Sequence, residues 1–293
     1  MNELVVEVRN LSRRFGARTA LAEVSLEVPR GIVLGLVGEN GAGKTTLIKH
    51  LLGLYKARAG SVRVFGLDPV ADPPAVLRRI GYLSEERDLP DWMRVGELLR
   101  YTQAFYPAWD EAYAEELRAM FALDPAQKVK TLSRGQRAQL ALLLALAYRP
   151  ELLLLDEPSS GLDPVVRRDI LSAIIRTVAD EGRTVIFSSH LLEEVERVAD
   201  VVAMIHAGRL VLAGPIDEIK EAHRWLTLRF PEPLAQKPAL PGMLACEGEG
   251  REWAVLCNGA SEALRGAAAA LGAVVLEERT PSLDEIFVAR VKG

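Results

Sequence analysis

The chain has 293 residues, 49% of them hydrophobic and 26% charged, which excludes a disordered segment and leaves room for one large domain and one small one. Its formal net charge of -4 argues against a dedicated nucleic-acid binder, which carries a basic excess, so no nucleic-acid partner is expected. The two cysteines, Cys246 and Cys257, stand at no metal-site spacing, and a reducing compartment fits. Met1-Asn2-Glu3-Leu4 has no basic head followed by an apolar run, so no signal peptide is expected. The most apolar interior stretch, Ala138 to Ala147, is about half the length needed to cross a bilayer and reads as a buried helix. If the protein works at a membrane, another chain or a further domain does the crossing.

In chain order, Leu4 to Val8 alternates as a half-buried strand, and Leu21 to Val28 reads as a second. Pro29-Arg30-Gly31 is a turn, and Ile32 to Val37 a fully buried strand. A glycine-rich loop and a helical run from Leu47 follow. Ser61 to Phe65 and the stretch ending at Gly81-Tyr82-Leu83 are short strands. From Val95 to Leu146 the pattern is helical, with Asp110 as cap of a helix reaching Met120 and Ser133 as cap of the long apolar helix. Leu152 to Leu155 reads as a strand buried on both faces. Val165 to Ala179 is helical, Thr184 to Ser188 a strand, Leu191 to Val198 a helix, and Val201 to Ile205 and Arg209 to Leu212 bracket a turn. Strands alternating with helices predict an α/β core with a helical insert over about 85–147.

Near residue 221 the character changes. Leu226 to Phe230 is a strand, followed by a loop rich in Pro, Gly and Glu up to Glu252. Trp253 to Cys257 is a strand, Ser261 to Leu271 a helix and Val274 to Glu278 a strand. Thr280 caps a last helix with Pro281 in its first turn. The expected division is 1–220 for the α/β domain and 221–293 for a small α+β domain.

Two motifs carry chemistry. Gly38-Glu39-Asn40-Gly41-Ala42-Gly43-Lys44-Thr45 fits the phosphate-loop pattern, with a strand before it and a helix after. Gly38, Gly41 and Gly43 let the backbone turn tightly and aim N–H groups inward, where they and the helix N-terminus hold phosphate oxygens. Lys44 supplies a point charge for the β- and γ-phosphates, and the Thr45 hydroxyl ligates Mg²⁺. Leu152-Leu153-Leu154-Leu155-Asp156-Glu157 then places two carboxylates at the end of a buried strand. Successive residues of a strand face opposite ways, so the two acids need not share a role. Asp156 is expected to hold Mg²⁺ and Glu157 to polarise the attacking water as general base.

Together these motifs resemble the ATP-binding cassette (ABC) ATPases over roughly residues 3 to 215. The resemblance implies a P-loop NTPase core of the ABC type, with an antiparallel β subdomain and a helical insert, ATP and Mg²⁺ as cofactors, and ATPase activity. Phe15 sits where the family has an aromatic that stacks on adenine. Gly38 to Thr46, including Asn40 and Thr46, match the phosphate loop. Leu132-Ser133-Arg134-Gly135-Gln136 matches the family signature, Leu-Ser-Gly-Gly-Gln, so Ser133, Gly135 and Gln136 are expected to bind nucleotide held by a second subunit. Ser160-Gly161-Leu162-Asp163 looks like the loop that crosses the dimer interface. His190 matches the histidine that contacts the γ-phosphate.

The resemblance further implies two ATPase subunits meeting head to tail, in a homodimer or heterodimer, on a separate transmembrane permease at the cytoplasmic face of the membrane. Within the family, the style is that of bacterial ABC-2 exporters, and Pro281 to Phe287 resembles a C-terminal element of that group. An importer ATPase, or a soluble relative acting on ribosomes or DNA, is the alternative. The small C-terminal domain is read as a regulatory module or a dimer clamp. Two positions depart from the family pattern. Glu85 stands where glutamine is usual, and its carboxylate is expected to accept Mg²⁺ or a water. Arg134 replaces the first signature glycine and would be strained if the backbone there required glycine.

Overall fold

The computed structural model describes residues 3–179 and 182–292, which fall into two compact units, Met1–Leu210 and Val211–Gly293. In chain order the first unit contains β1 (Leu4–Phe15), β2 (Arg18–Pro29), β3 (Val33–Val37), α1 (Lys44–Leu51), β4 (Ala59–Val64), α2 (Pro73–Leu77) and β5 (Ile80–Leu83). There follow α3 (Val95–Gln103), α4 (Glu111–Met120), α5 (Arg134–Leu146), β6 (Leu152–Leu155), α6 (Pro164–Ala179), β7 (Thr184–Ser189), α7 (Leu192–Val198) and β8 (Val201–His206). Then β9 (Arg209–Pro215) carries the chain into the second unit.

Two sheets organise the first unit. β1, β2 and β4 form an antiparallel sheet in the order β2-β1-β4. The second sheet runs β5-β6-β7-β3-β8-β9, with β5, β6, β7, β3 and β8 parallel. Its central strands β3, β6 and β7 are buried at every residue, as expected when helices cover both faces of a parallel sheet. One core joins the two sheets: Val6, Val8 and Leu11 of β1 pack in the same cluster as Leu34 and Leu36 of β3, Leu47 and Ile48 of α1, and Leu154 of β6. This is the expected α/β P-loop architecture, with an antiparallel subdomain on the phosphate-loop helix and the insert α3–α5. The parallel order places β6 between β5 and β7, so the residues after those three strands emerge side by side.

Both expected caps in the insert are present. Asp110 accepts from Tyr113 N at 2.9 Å, and Ser133 forms a reciprocal box with Gln136, at 3.1 Å and 3.0 Å.

The second unit adds α8 (Ile216–Glu221), β10 (His223–Leu234), β11 (Met243–Asn258), α9 (Ser261–Ala270), β12 (Val274–Arg279) and α10 (Leu283–Lys292). Its antiparallel sheet runs β11-β10-β12 around a core of Leu226, Leu228, Phe230, Trp253, Val255 and Leu264. Two expectations are corrected here. The polar segment before Glu252 is largely strand, because β11 begins at Met243 and stays paired with β10 as far as Leu234–Gly250 through a register shift. An edge strand with a solvated face carries glutamates and glycines that hide its period. The last helix is capped by Ser282, not Thr280. Ser282 Oγ accepts from Glu285 N at 3.2 Å while Glu285 Oε2 accepts from Ser282 N at 2.9 Å, and this reciprocal pair satisfies two orphan donors at once.

Candidate nucleotide-binding and hydrolysis site

The glycines of the phosphate loop are dictated by contact. A Cβ on Gly38 would lie 2.3 Å from the Ile205 carbonyl oxygen. Gly43 has φ of 120°, and its Cβ would lie 2.5 Å from the Ala20 carbonyl. Only glycine meets both the angle and the space. Gly43 is also the N-cap of α1, so no side chain caps that helix, and its first turn holds no acidic residue. The helix start therefore offers uncapped N–H groups and positive dipole to an anion. Lys44 is buried beside them, its Nζ donating to the Gly38 carbonyl at 2.5 Å.

The loop opens on a cleft of about 590 Å³ that gathers most of the predicted residues: Phe15, Asn40, Gly41, Gly43, Lys44, Thr45, Thr46, Glu85 and Glu157 all line it. Phe15, at the end of β1, is 42% exposed, meets Tyr55 edge-on at 5.6 Å and lies 4.7 Å from the Arg13 guanidinium. An exposed ring at the cleft mouth is free to stack on a planar group. Arg18, not anticipated from sequence, also lines the cleft and donates to the Gly41 carbonyl at 3.0 Å.

The two acids lie just beyond the end of β6 and part in different directions there. Both are buried. Asp156 Oδ1 accepts from the Ser188 hydroxyl at 2.7 Å, and Ser188 Oγ in turn accepts from Glu157 N at 2.8 Å. Glu157 turns toward the phosphate loop. Its Oε1 lies 3.0 Å from Lys44 Nζ, without an aligned hydrogen-bond donor, and its Oε2 lies 2.7 Å from His190 Nδ1. Glu157 has φ of 48°, left-handed backbone that a non-glycine residue adopts only when its surroundings hold it there. Burial, followed by the charges of Asp156 and Glu86, pushes the Tyr82 hydroxyl up to about 12, so it stays protonated beside the acids. Below them Glu194 is buried, accepting from Ser159 Oγ at 2.6 Å and Ser189 Oγ at 3.0 Å, and ties the loop after Glu157 to β7.

The signature residues lie outside the cleft, at the start of α5. Ser133 and Arg134 are exposed. A Cβ on Gly135 would meet Val166 Cγ2 at 2.8 Å, so this glycine lets α5 and α6 approach. Arg134 opens the helix, and its φ is not positive, so the expected strain is absent and arginine fits the backbone.

Cleft, uncapped helix, buried lysine and a carboxylate oxygen without a donor fit a nucleoside triphosphate with its metal ion. The family model for ABC transporters matches residues 21–160. The daunorubicin resistance ATP-binding protein DrrA3 of Streptomyces coeruleorubidus is 33% identical over 304 residues, covering 98% of this chain and 96% of that protein. The chain belongs to the ATP-binding subunits of ABC transporters. The ABC transporter ATP-binding protein YtrB of Bacillus subtilis is 29% identical over 289 residues, with 99% of each chain covered. A solved ATP-binding subunit of an ABC transporter superposes with a TM-score of 0.68 at 31% identity, covering 74% of this chain and 92% of that one. This ABC subunit binds ATP with Mg²⁺, hydrolyses it, and is of the kind that pairs with a membrane permease and a second nucleotide-binding subunit. Among the described residues no helix is long and apolar enough to cross a membrane.

Proposed function

We propose that this subunit powers an exporter from the cytoplasmic face of the membrane, held there by a separate permease, and that it works as half of a composite ATPase. The observation that carries the hydrolytic reading is the buried Glu157 carboxylate, set between Lys44 and His190 on the edge of the phosphate-loop cleft. Phe15 stacks on the base. The backbone of residues 38–46, with Lys44, holds the phosphates. Thr45 and Asp156 hold Mg²⁺, with Glu85 as a further carboxylate at the cleft wall. When bound, Mg²⁺ would offset negative charge on the phosphates. Lys44 shifts its interaction from Glu157 to phosphate when ATP enters, which leaves the carboxylate free to take a proton from water. The water oxygen attacks the γ-phosphorus as the bond to the bridging oxygen breaks. His190 orients the water and the γ-phosphate. Ser133, Gly135 and Gln136 serve the site of the second subunit, a reading supported by the exposure of Ser133 at the start of α5, outside this subunit's own cleft.

Export is favoured by the relatives: one is a daunorubicin resistance protein, and two others, covering about three quarters of this chain, are named for bacitracin transport. The groove of about 570 Å³ between the insert and the core, with Leu54, Tyr101 and Leu144 on its walls, is the place on this unit for a permease segment.

Glu157→Gln is expected to keep ATP binding, lose most turnover and accumulate an ATP-bound dimer. ATPase rates equal to the parent's refute the base. Expressed with its neighbouring genes, the subunit should co-purify with an integral membrane chain; a tight soluble or ribosomal partner instead overturns the transport reading.

A further inference from the structure

A buried arginine stands beside the hydrolytic loop. Arg87 lies in the connection between β5 and α3, two residues after Glu85, and is 8% exposed. Its Nη2 reaches three carbonyls of one short backbone segment: those of Ser160 at 2.9 Å, Pro158 at 3.0 Å and Glu157 at 3.4 Å. Among the described residues no carboxylate forms an ion pair with it. Burying a guanidinium against carbonyls alone is an expensive way to fill space, since an apolar side chain would avoid the desolvation. Burial does pull its pKa down, with Glu85 opposing and Arg134 reinforcing the shift.

The neighbouring backbone explains what the contact holds. Glu157 is in left-handed conformation, and so is Arg87, with φ of 51°. Neither has the freedom of glycine, so both segments need anchoring. β6, which delivers Glu157, lies between β5 and β7. From the β7 side, Ser188 Oγ holds the Glu157 N–H at 2.8 Å. From the β5 side, Arg87 holds the carbonyls that follow. The loop is clamped from both neighbouring strands.

We propose that Arg87 is a positioning residue for ATP hydrolysis, fixing the 157–160 backbone so that the Glu157 carboxylate stays aimed into the cleft. This rests on Glu157 being the base. Arg87 has no part in holding nucleotide, because it does not line the phosphate-loop cleft and its Nη2 is spent on the 157–160 carbonyls. Its removal therefore acts on the chemical step and spares binding.

The test is a double-mutant cycle of Arg87→Gln and Glu157→Gln, with single-turnover hydrolysis and calorimetric ATP binding. Arg87→Gln is expected to lower kcat by about 10- to 100-fold, the scale of a misplaced catalytic group, with KM and ATP affinity within about twofold of the parent. Arg87→Lys restores part of the rate. In the Glu157→Gln background, Arg87→Gln costs nothing further. If Arg87→Gln does not fold, Arg87→Lys carries the test, with kcat lowered and ATP affinity kept. A parental kcat, an equal loss of ATP affinity and kcat, or effects that multiply in the double variant each overturn the proposal. Parental activity of Glu157→Gln alone removes the base assignment itself, whereas an inactive Glu157→Gln beside a fully active Arg87→Gln removes only the role of Arg87.

Discussion

Ser188→Ala is the sharpest perturbation of the acidic site, because one hydroxyl serves both acids. Ser188 is fully buried. Its O–H donates to Asp156 Oδ1 at 2.7 Å and its oxygen accepts from Glu157 N at 2.8 Å. Alanine removes both bonds in a space closed to bulk water. A buried carboxylate oxygen loses a donor and a buried N–H loses its acceptor; at about 1–3 kcal/mol for each orphaned group, the loss is about 2–6 kcal/mol. The second consequence is mechanistic. Glu157 keeps its left-handed backbone only while anchored, and without Ser188 its carboxylate drifts from Lys44 and His190. Urea unfolding followed by far-UV circular dichroism reads the first effect, provided the slope with denaturant matches the parent's. Steady-state ATPase kinetics read the second as a lowered kcat. A stability loss below about 1 kcal/mol together with an unchanged kcat would show that the hydroxyl does not join the two acids.

Two further outcomes follow from packing and titration. Gly135→Ala puts a methyl 2.8 Å from Val166 Cγ2 and should destabilise by about 1 kcal/mol as the valine leaves its rotamer, while Gly135→Ala with Val166→Ala recovers that loss in thermal melts; a stable single variant refutes the close approach of α5 and α6. In the second unit, His223 is buried with Nδ1 donating to the Ile219 carbonyl at 2.6 Å and Nε2 facing the amide of Asn258 and the guanidinium of Arg290, and burial lowers its pKa. A depressed histidine stabilises fully above its unfolded value of about 6.5 and loses that contribution as pH falls below it, so melts followed by the fluorescence of Trp225 and Trp253 should show stability dropping from pH 7 to 5. Glu285, held at about 2 chiefly by its hydrogen bonds from Arg279, adds a second loss as pH falls from 4.5 toward 2. His223→Gln should flatten the first window only; an unchanged pH profile sets the histidine aside.

The fold was legible because its elements announce themselves locally. Leu152 to Leu155 is a short apolar run closed by two acids, which reads as a buried strand, and the glycines before Lys44 mark the turn into α1. The site was legible to the extent that its chemistry lies in contiguous motifs: Phe15, the phosphate loop, Glu85 and Glu157 meet in one cleft. What was missed depends on contacts across the chain. Arg87 is one more charged residue in Glu85-Glu86-Arg87-Asp88 until β5 and β6 are placed side by side. Ser188 reads as the polar end of a strand until its hydroxyl is found between two acids. A hint was available there, since Ser188 and Ser189 end a wholly apolar run and buried hydroxyls need partners. The β11 strand was hidden because glutamate on a solvated edge looks like loop, and the α10 cap because threonine-proline competes with a serine-glutamate box two residues later.

The two departures from the family pattern resolve differently once geometry is considered. Arg134 sits at the first helical position of α5 with its side chain exposed, so no backbone angle resists it. The glycine that packing requires is Gly135, against Val166. The substitution therefore changes charge and leaves the fold as it is, at a face already bearing the Ser133 cap and lying close to Gly161, whose Cβ position is 3.8 Å from the Arg134 guanidinium. Glu85 is different, because it lines the cleft itself and brings negative charge to a wall that already holds Glu157. Arg18 and Lys44, which line the same cleft, offset that charge. The charge at Glu85 thus makes the cleft wall more acidic than glutamine would, while the charge at Arg134 lies on the exposed start of α5.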